Sequence, residues 1–377
     1  MERNENRRIS IAWITSAGLV ETDIYVVPEL MRYFDIEWYV VKDTCESLDY
    51  EKELNELAIN GSKIEIKVLE GSRFGIKRFG FYRKFANSLA KADIIYTVIL
   101  GIPYFIPLLK AGVGNTKLIA AVHNVNLLKG ITHPLAKKIY QKIAFELCDY
   151  FDTFSKSQYD LLRSILRHKK VFYTPFMLKD YGKARKQRVD KRVTFLCYGN
   201  IKKYKRHDLV IRAAESLYEK GIVEFKVIIA GCGDYWEICK ENIKHDSIFD
   251  LRIARIPNED VADLFNEADY LVMPYQDIAQ SGAAIVGVNY GVPIISSDLV
   301  SFREYIKNGE NGYLIPVADL NALTDVMEKC IKEYSESFVQ MHEKMIGVRD
   351  ALFSKESVIN AYNVMFRSVI EEINDAS

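Results

Sequence analysis

The residues best suited to chemistry lie between residues 268 and 297 of this 377-residue chain. A polar loop carrying Asp277, Gln280 and Ser281 gives way at Gly282 to a small apolar run that stops at Gly291-Val292-Pro293. Ser281-Gly282 therefore falls where a loop becomes a helix. A helix start offers unpaired backbone N–H groups and the positive end of the dipole, and glycine lets a phosphate approach the backbone. An ordinary strand-to-helix connection has the same pattern. Upstream, Gly199-Asn200 opens a loop with Lys202, Lys203, Lys205 and Arg206. Such a loop is either a cationic clamp for a departing diphosphate, whose charge grows in the transition state, or a solvated charged turn. Gly231-Cys232-Gly233 marks a tight turn at a strand end, able to pass beneath a nucleotide or merely to reverse the chain. His123, in the pair His123-Asn124 after an apolar strand, could hydrogen-bond a substrate hydroxyl or steady positive charge at a reacting carbon; a packed histidine is the alternative. Glu304 could accept hydrogen bonds from sugar hydroxyls, or be a helix-start acid favoured by the dipole.

A second kind of stretch runs from residue 71 to 91. Arg73, Lys77, Arg78, Arg83 and Lys84 alternate with Phe74, Phe79, Phe81, Tyr82 and Phe85. This mixture suits an interfacial membrane helix, base stacking, or an amphipathic core helix with a basic outer face. It sits in a charged block: although the whole chain is neutral, residues 71–170 carry a net +12, against −7 before them and −5 after. Such a block suggests a surface facing anions. Six scattered cysteines read as reduced thiols, which points to a cytoplasmic protein. The N-terminus lacks a signal-peptide core, and the uncharged runs 94–109 and 278–297 are too interrupted by Gly and Pro to span a membrane.

These residues need elements to hold them. Buried strands are expected at 9–14, 36–41, 63–69, 94–98, 118–122 and 150–154, with helices at 23–34, 48–57, 133–147 and 157–168. The pattern restarts with strands at 193–198, 225–230, 251–256, 270–273, 294–297 and 313–315. Its helices are expected at 207–219, 258–268 (capped by Asn258), 282–290, 319–334 and much of 338–373. The basic connector 183–192 reads as a solvated linker. The fold class is α/β, two doubly wound parallel-sheet domains covering 1–185 and 186–350. Ligands of such sheets bind outside the carboxyl ends of the strands, and two facing domains would place a cleft there.

In order and spacing, these pieces resemble the retaining family 4 glycosyltransferases of the GT-B, two-Rossmann architecture, most strongly from 192 to 328. The family's strand–Gly–loop–Lys-Gly–helix pattern is similar to 199–206, with Lys205 at the phosphate-binding position and Arg206 where glycine is usual. Its Gly-x-Gly turn resembles Gly231 and Gly233. The subgroup with an acidic residue before Gln-Ser-Gly resembles 277–282. His123-Asn124 resembles its His-Asn or His-Asp pair, and Asp152 to Ser155 its aspartate–apolar–serine strand end. The chain departs from the family's paired glutamates: counted back from Gly291, these positions fall on Val286 and on Ile278, beside Asp277. Asn200 stands where an arginine partner is usual.

The resemblance implies transfer of a sugar, with retention, from a nucleotide-sugar co-substrate, without metal or other cofactor. It implies His123, Asp277 and Lys205 as catalytic residues. Gly18, Asn200, Lys205, Arg206, Gly231, Gly233, Gln280, Ser281, Gly282 and Glu304 would bind the donor. Arg73, Lys77, Arg78, Phe81, Arg83 and Lys84 would face a glycan or lipid-linked acceptor and the inner face of the cell membrane, as in surface-polysaccharide assembly. A terminal helix over 351–377 would pack back on the first domain. Two other readings stay open: a non-catalytic partner subunit of the same fold, and a nucleic-acid-binding protein using the basic block. Against the latter, the basic residues lie among fold-forming strands.

Overall fold

The computed structural model describes residues 7–44, 46, 48, 50–70, 76–100, 102, 104–126, 134–179, 181–278 and 280–375. The chain forms two compact units, residues 1–177 with 355–377, and residues 178–354. The first unit's main segment thus ends at 177 rather than 185.

The first unit contains strands β1 (Ser10–Ser16), β2 (Asp35–Asp43), β3 (Lys63–Leu69), β4 (Ile94–Thr97), β5 (Lys117–Ala121), β6 (Tyr150–Thr153) and β7 (Lys170–Tyr173). They form one parallel sheet in the order β3-β2-β1-β4-β5-β6-β7. Helices α1 (Val20–Asp23), α2 (Val27–Leu30), α3 (Glu51–Ile59), α4 (Ile76–Leu89), α5 (Phe105–Gly112), α6 (Pro134–Leu147) and α7 (Lys156–Ile165) connect them. The central strands read as continuous apolar runs because helices cover both faces. Trp13, Trp38 and Tyr96 point to one face, and Ile14, Ile95 and Phe151 to the other.

The second unit contains β8 (Val193–Tyr198), β9 (Phe225–Ala230), β10 (Phe249–Arg252), β11 (Tyr270–Met273), β12 (Ile294–Ser297) and β13 (Gly312–Ile315), in the order β10-β9-β8-β11-β12-β13. Its helices are α8 (His207–Glu219), α9 (Trp236–Lys240), α10 (Asn258–Glu267), α11 (Gly282–Asn289), α12 (Val300–Arg303), α13 (Leu320–Lys332) and α14 (Tyr334–Val348). The last helix, α15 (Lys355–Asp375), returns to the first unit, where Tyr362, Met365, Phe366 and Val369 join the core around Trp13 and Tyr96. Among the described residues no helix is long and apolar enough to cross a membrane.

Several expectations are corrected. The single helix expected at 23–34 is two short ones, because Pro28 lacks an N–H and suits only a first turn. Strand β7 was not anticipated; only Val171 of its four residues is buried, so the edge strand has no long apolar run. Strand β10 lies at Phe249–Arg252 rather than 251–256, and Asn258 is the first residue of α10, behind Pro257 at the cap position. The stretch 338–373 is interrupted by a π-helical turn at Arg349–Phe353.

The connector is not a solvated linker. Arg188 lays both guanidinium nitrogens on the buried Asp269, at 2.6 and 2.7 Å, while Asp269 also accepts from the Thr194 backbone N–H. Arg185 and Lys186 donate backbone N–H groups to Asp263, at 2.5 and 3.0 Å. Charged side chains that look solvent-directed in sequence here satisfy buried carboxylates, which would otherwise be costly.

Candidate functional site

Three loops at the carboxyl ends of β8, β9 and β11 carry most of the anticipated residues of the second unit. The β8 and β9 loops are bound backbone to backbone: Gly199 N–H donates to Ala230 and Ile201 N–H to Cys232, each at 2.9 Å. This explains the Gly-x-Gly turn. A Cβ on Gly231, whose φ is +148°, would lie 2.0 Å from the Gly199 carbonyl oxygen, and one on Gly233 would lie 2.1 Å from that of Ile201. Both glycines are required by the packing of one loop on its neighbour, whatever binds above them. The β11 loop joins the assembly where Gln276 N–H donates to the Tyr204 carbonyl at 2.8 Å, and the Tyr204 and Tyr275 rings meet edge to face at 6.0 Å.

The four cations of the β8 loop have different fates. Lys202 pairs with Asp234 at 3.0 Å, and Lys203 is exposed. Arg206, in the left-handed conformation before α8, is compensated by Asp208 through three contacts of 2.9–3.1 Å. It therefore supplies less to a clamp than its position suggested. Lys205 is 8% exposed and has no carboxylate partner among the described residues; its ammonium lies 5.4 Å from the centroid of the Tyr275 ring. Burial lowers its pKa to about 8. A largely buried lysine with no carboxylate partner among the described residues carries a charge that is costly to hold, and an anion would complete it. His207, the first residue of α8, is buried beside it; its Nδ1 has no hydrogen-bond partner among the described residues, and burial, then the Lys205 charge, push its pKa down to about 3.

Tyr275 links Lys205 to the start of α11, because its hydroxyl shares a hydrogen bond with Ser281. Ser281 is buried and caps the helix, its Oγ accepting from Ala284 N–H at 3.3 Å. Gly282 is exposed, and Lys179 Nζ lies 3.5 Å from where a Cβ on it would sit. Lys179 is itself 8% exposed, and its carbonyl accepts from Asn289 at the far end of α11. Sequence reading missed Lys179 because nothing in the chain around it marks burial, and gave Tyr275 no role of its own because nothing in the chain places it beside Lys205.

The other anticipated donor residues are less engaged. Asp277 and Asn200 are exposed, and Gln280 is half-buried. Glu304 is half-buried at the C-terminal end of α12, not at a helix start, so the dipole does not explain it. Gly18 lies in the first unit, where among the described residues a Cβ would meet only Glu46, at 3.9 Å. Val286, at the position of the family's second glutamate, is 2% exposed within the core that packs α11 on β11.

In the first unit, His123 follows β5. The residue is half-buried, its ring tilted against those of Phe154 at 4.4 Å and Phe176 at 5.4 Å, and its Nε2 is enclosed without a hydrogen-bond partner among the described residues. Burial pushes its pKa down to about 4, so the ring is neutral near pH 7 and would not repel positive charge on a substrate. On the basic stretch, Lys77, Arg83 and Lys84 are exposed along α4, whereas Arg73 lies outside the described residues. Arg78 is not a surface residue: it is 7% exposed and paired with Asp43. Phe81 packs inward, 5.8 Å from both Tyr82 and Phe85.

Residues 180–346 match the family described as Glycosyl transferases group 1. An uncharacterized 41.2 kDa protein in the cps region of Klebsiella pneumoniae is 25% identical over 196 residues; the match spans about half the length of each protein (51% of both). Among solved structures, a glycosyltransferase from Rickettsia africae superposes with a TM-score of 0.76 at 15% identity, over 97% of this chain and 99% of that one. Anabaena Alr3699/HepE, in complex with UDP and glucose, superposes at 0.72 and 12% identity, over 96% and 100%. The fold is thus the GT-B architecture of two Rossmann-like domains.

Proposed function

We propose that this chain is a glycosyltransferase that binds the diphosphate of a nucleotide-sugar donor at the loops after β8, β9 and β11 of its second unit. The observation that carries the reading is Lys205, a largely buried lysine with no counter-charge among the described residues, linked through Tyr275 to the N-terminus of α11. Lys179 adds a second buried cation beside Gly282. The match of residues 180–346 to group 1 glycosyl transferases, and the UDP and glucose bound by the structural neighbour, support this ligand class.

Such a site acts on the leaving group. As the bond from the anomeric carbon to the phosphate oxygen lengthens, charge builds on the diphosphate. Preorganised cations and helix N–H groups stabilise that charge more than they stabilise the bound ground state. The acceptor hydroxyl attacks the same face of the anomeric carbon. Its oxygen forms the new glycosidic bond, its proton passes to the departing phosphate oxygen, and configuration is retained. Asp277 would hold sugar hydroxyls, and His123 would act as a neutral hydrogen-bonding group whose Nε2 gains a partner. Charge stabilisation comes from the lysines, with no metal required. The acceptor is a glycan of surface-polysaccharide assembly, a reading supported by the relative in a cps region.

A second reading is favoured by one observation, the core placement of Val286 where the family has a carboxylate. In it the chain binds the nucleotide but transfers nothing, serving as a partner subunit. Incubation with a panel of nucleotide sugars and oligosaccharide acceptors separates the two. Release of nucleoside diphosphate with one donor supports transfer; stabilisation by the diphosphate without any release supports the second reading.

A further inference from the structure

We propose that a groove between the end of α2 and the start of α15, on the first unit, binds a neutral oligosaccharide at a site separate from the proposed chemistry. The inference goes beyond the proposed transfer and does not rest on it. In a doubly wound sheet the reacting ligands lie outside the carboxyl ends of the strands. This groove lies at the other end. Glu29, Arg32 and Tyr33 belong to the last turns before β2, which starts at Asp35, so they stand beside the amino end of that strand. The first turns of α15, from Lys355 to Asn363, form the facing wall. The space between the walls is about 800 Å³, within the usual range of small-molecule sites.

The core fixes both walls. Leu30 and Phe34 on one side and Ile359, Tyr362 and Phe366 on the other share one buried cluster, and the Phe34 and Phe366 rings meet edge to face at 5.3 Å. At the rim, Glu29 accepts Lys355 of the facing wall at 2.5 Å and Arg32 of its own at 2.9 Å. The groove is therefore preformed, which spares a ligand the cost of ordering it.

The lining selects the ligand. Its charges cancel, Glu29 and Glu356 against Arg32 and Lys355, and Glu29 engages both cations. A phosphate or an acidic glycan finds no spare cation there. A lipid tail finds little apolar surface, since Ile359 is 6% exposed and the other large apolar body is the ring of Tyr33, 50% exposed. The remaining groups are the Ser357 hydroxyl and the amides of Asn360 and Asn363. The side-chain oxygen of Asn363 has no donor among the described residues, and a ligand hydroxyl can supply one. An exposed aromatic ring beside amides matches a sugar ring, whose C–H face packs on the aromatic while its hydroxyls bond the amides.

The test is saturation-transfer NMR of the full chain, without donor, against neutral oligosaccharides of glucose, galactose, mannose and N-acetylhexosamines. At least one is expected to bind, with an affinity that salt leaves unchanged. Tyr33→Ala should weaken that binding about tenfold, Tyr33→Phe should retain it, and Asn363→Ala should weaken it about fivefold. Unchanged melting curves will show that the variants fold. Lys205→Met, which disables the proposed donor site, should leave oligosaccharide binding intact, so failure of the groove and failure of the transfer are read separately. No binding by any of these oligosaccharides at about 10 mM overturns the proposal. So does binding that Tyr33→Ala leaves intact, binding lost in Lys205→Met, or a preference for acidic over neutral glycans.

Discussion

Replacing Lys205 with methionine should make the ligand-free second unit more stable while abolishing its response to a nucleoside diphosphate. Burial takes the Lys205 pKa from 10.5 to about 8. At roughly 1.4 kcal/mol per unit, holding the ammonium charged costs about 3 kcal/mol. The Tyr275 ring, 5.4 Å away, returns about 1–2 kcal/mol of that. Methionine matches the side chain in length, removes the charge and keeps the packing, so a net gain of about 1–2 kcal/mol is expected, or roughly 2–8 °C for a domain of this size. The sign also fixes a pH dependence. Between about 8 and 10.5 the unfolded chain holds the lysine proton and the folded one does not, so the wild type should gain stability as pH rises through that window. Lys205→Met should not. The assay is differential scanning calorimetry across pH 7–11 with and without nucleoside diphosphates. A variant less stable than wild type when ligand-free, or one that keeps the full diphosphate-induced shift, would refute the reasoning that Lys205 is an unsatisfied cation awaiting an anion.

Other perturbations follow from the packing. Gly231→Ala places a methyl 2.0 Å from the Gly199 carbonyl oxygen, and should cost about 2–4 kcal/mol in urea unfolding of the second unit, not merely ligand affinity. Val286→Glu, which restores the family's second carboxylate, should cost 3 kcal/mol or more in the same assay, since the position is 2% exposed in a packed core, and should not raise turnover. Asp152 is fully buried, accepting from Tyr96 at 2.7 Å and Thr174 at 2.5 Å, and burial raises its pKa to about 7. The folded state then holds a proton that the unfolded state releases above about pH 4, so this group's contribution to stability falls as pH rises from about 4 to 7. Asp152→Asn should flatten that slope by up to roughly 4 kcal/mol, measured as unfolding free energy against pH. His123 runs the other way, losing stability as pH falls from about 6.5 toward 4, so the comparison is made between variant and wild type at each pH.

Much of the fold was legible because period and length carry the signal for buried parallel strands. β8, β9, α8 and β11 fall on the expected residues, and the restart at 193 announces a second sheet. Edges and connectors were less legible, since their stability comes from partners distant in sequence. Nothing near Arg188 marks Asp269 as its partner, 81 positions away. The site was legible as residue types and not as roles. Four cations in the β8 loop look alike in sequence, but Asp208 and Asp234 compensate two of them, and only burial singles out Lys205. Gly231 and Gly233 read equally as a turn beneath a nucleotide or a simple reversal, and the packing of the neighbouring loop accounts for both glycines. Lys179 became visible only when α11 was placed against it.

The measurement that bears most directly on the central claim is calorimetric titration of the full chain with matched nucleosides, nucleoside monophosphates and nucleoside diphosphates. If the second unit holds a diphosphate against Lys205 and the α11 N-terminus, the diphosphate of one base should bind at least about tenfold tighter than its nucleoside, with one charge-assisted contact sufficient for that difference. The advantage should vanish in Lys205→Met. Equal affinity for nucleoside and diphosphate, or a diphosphate preference that survives the loss of Lys205, would contradict it.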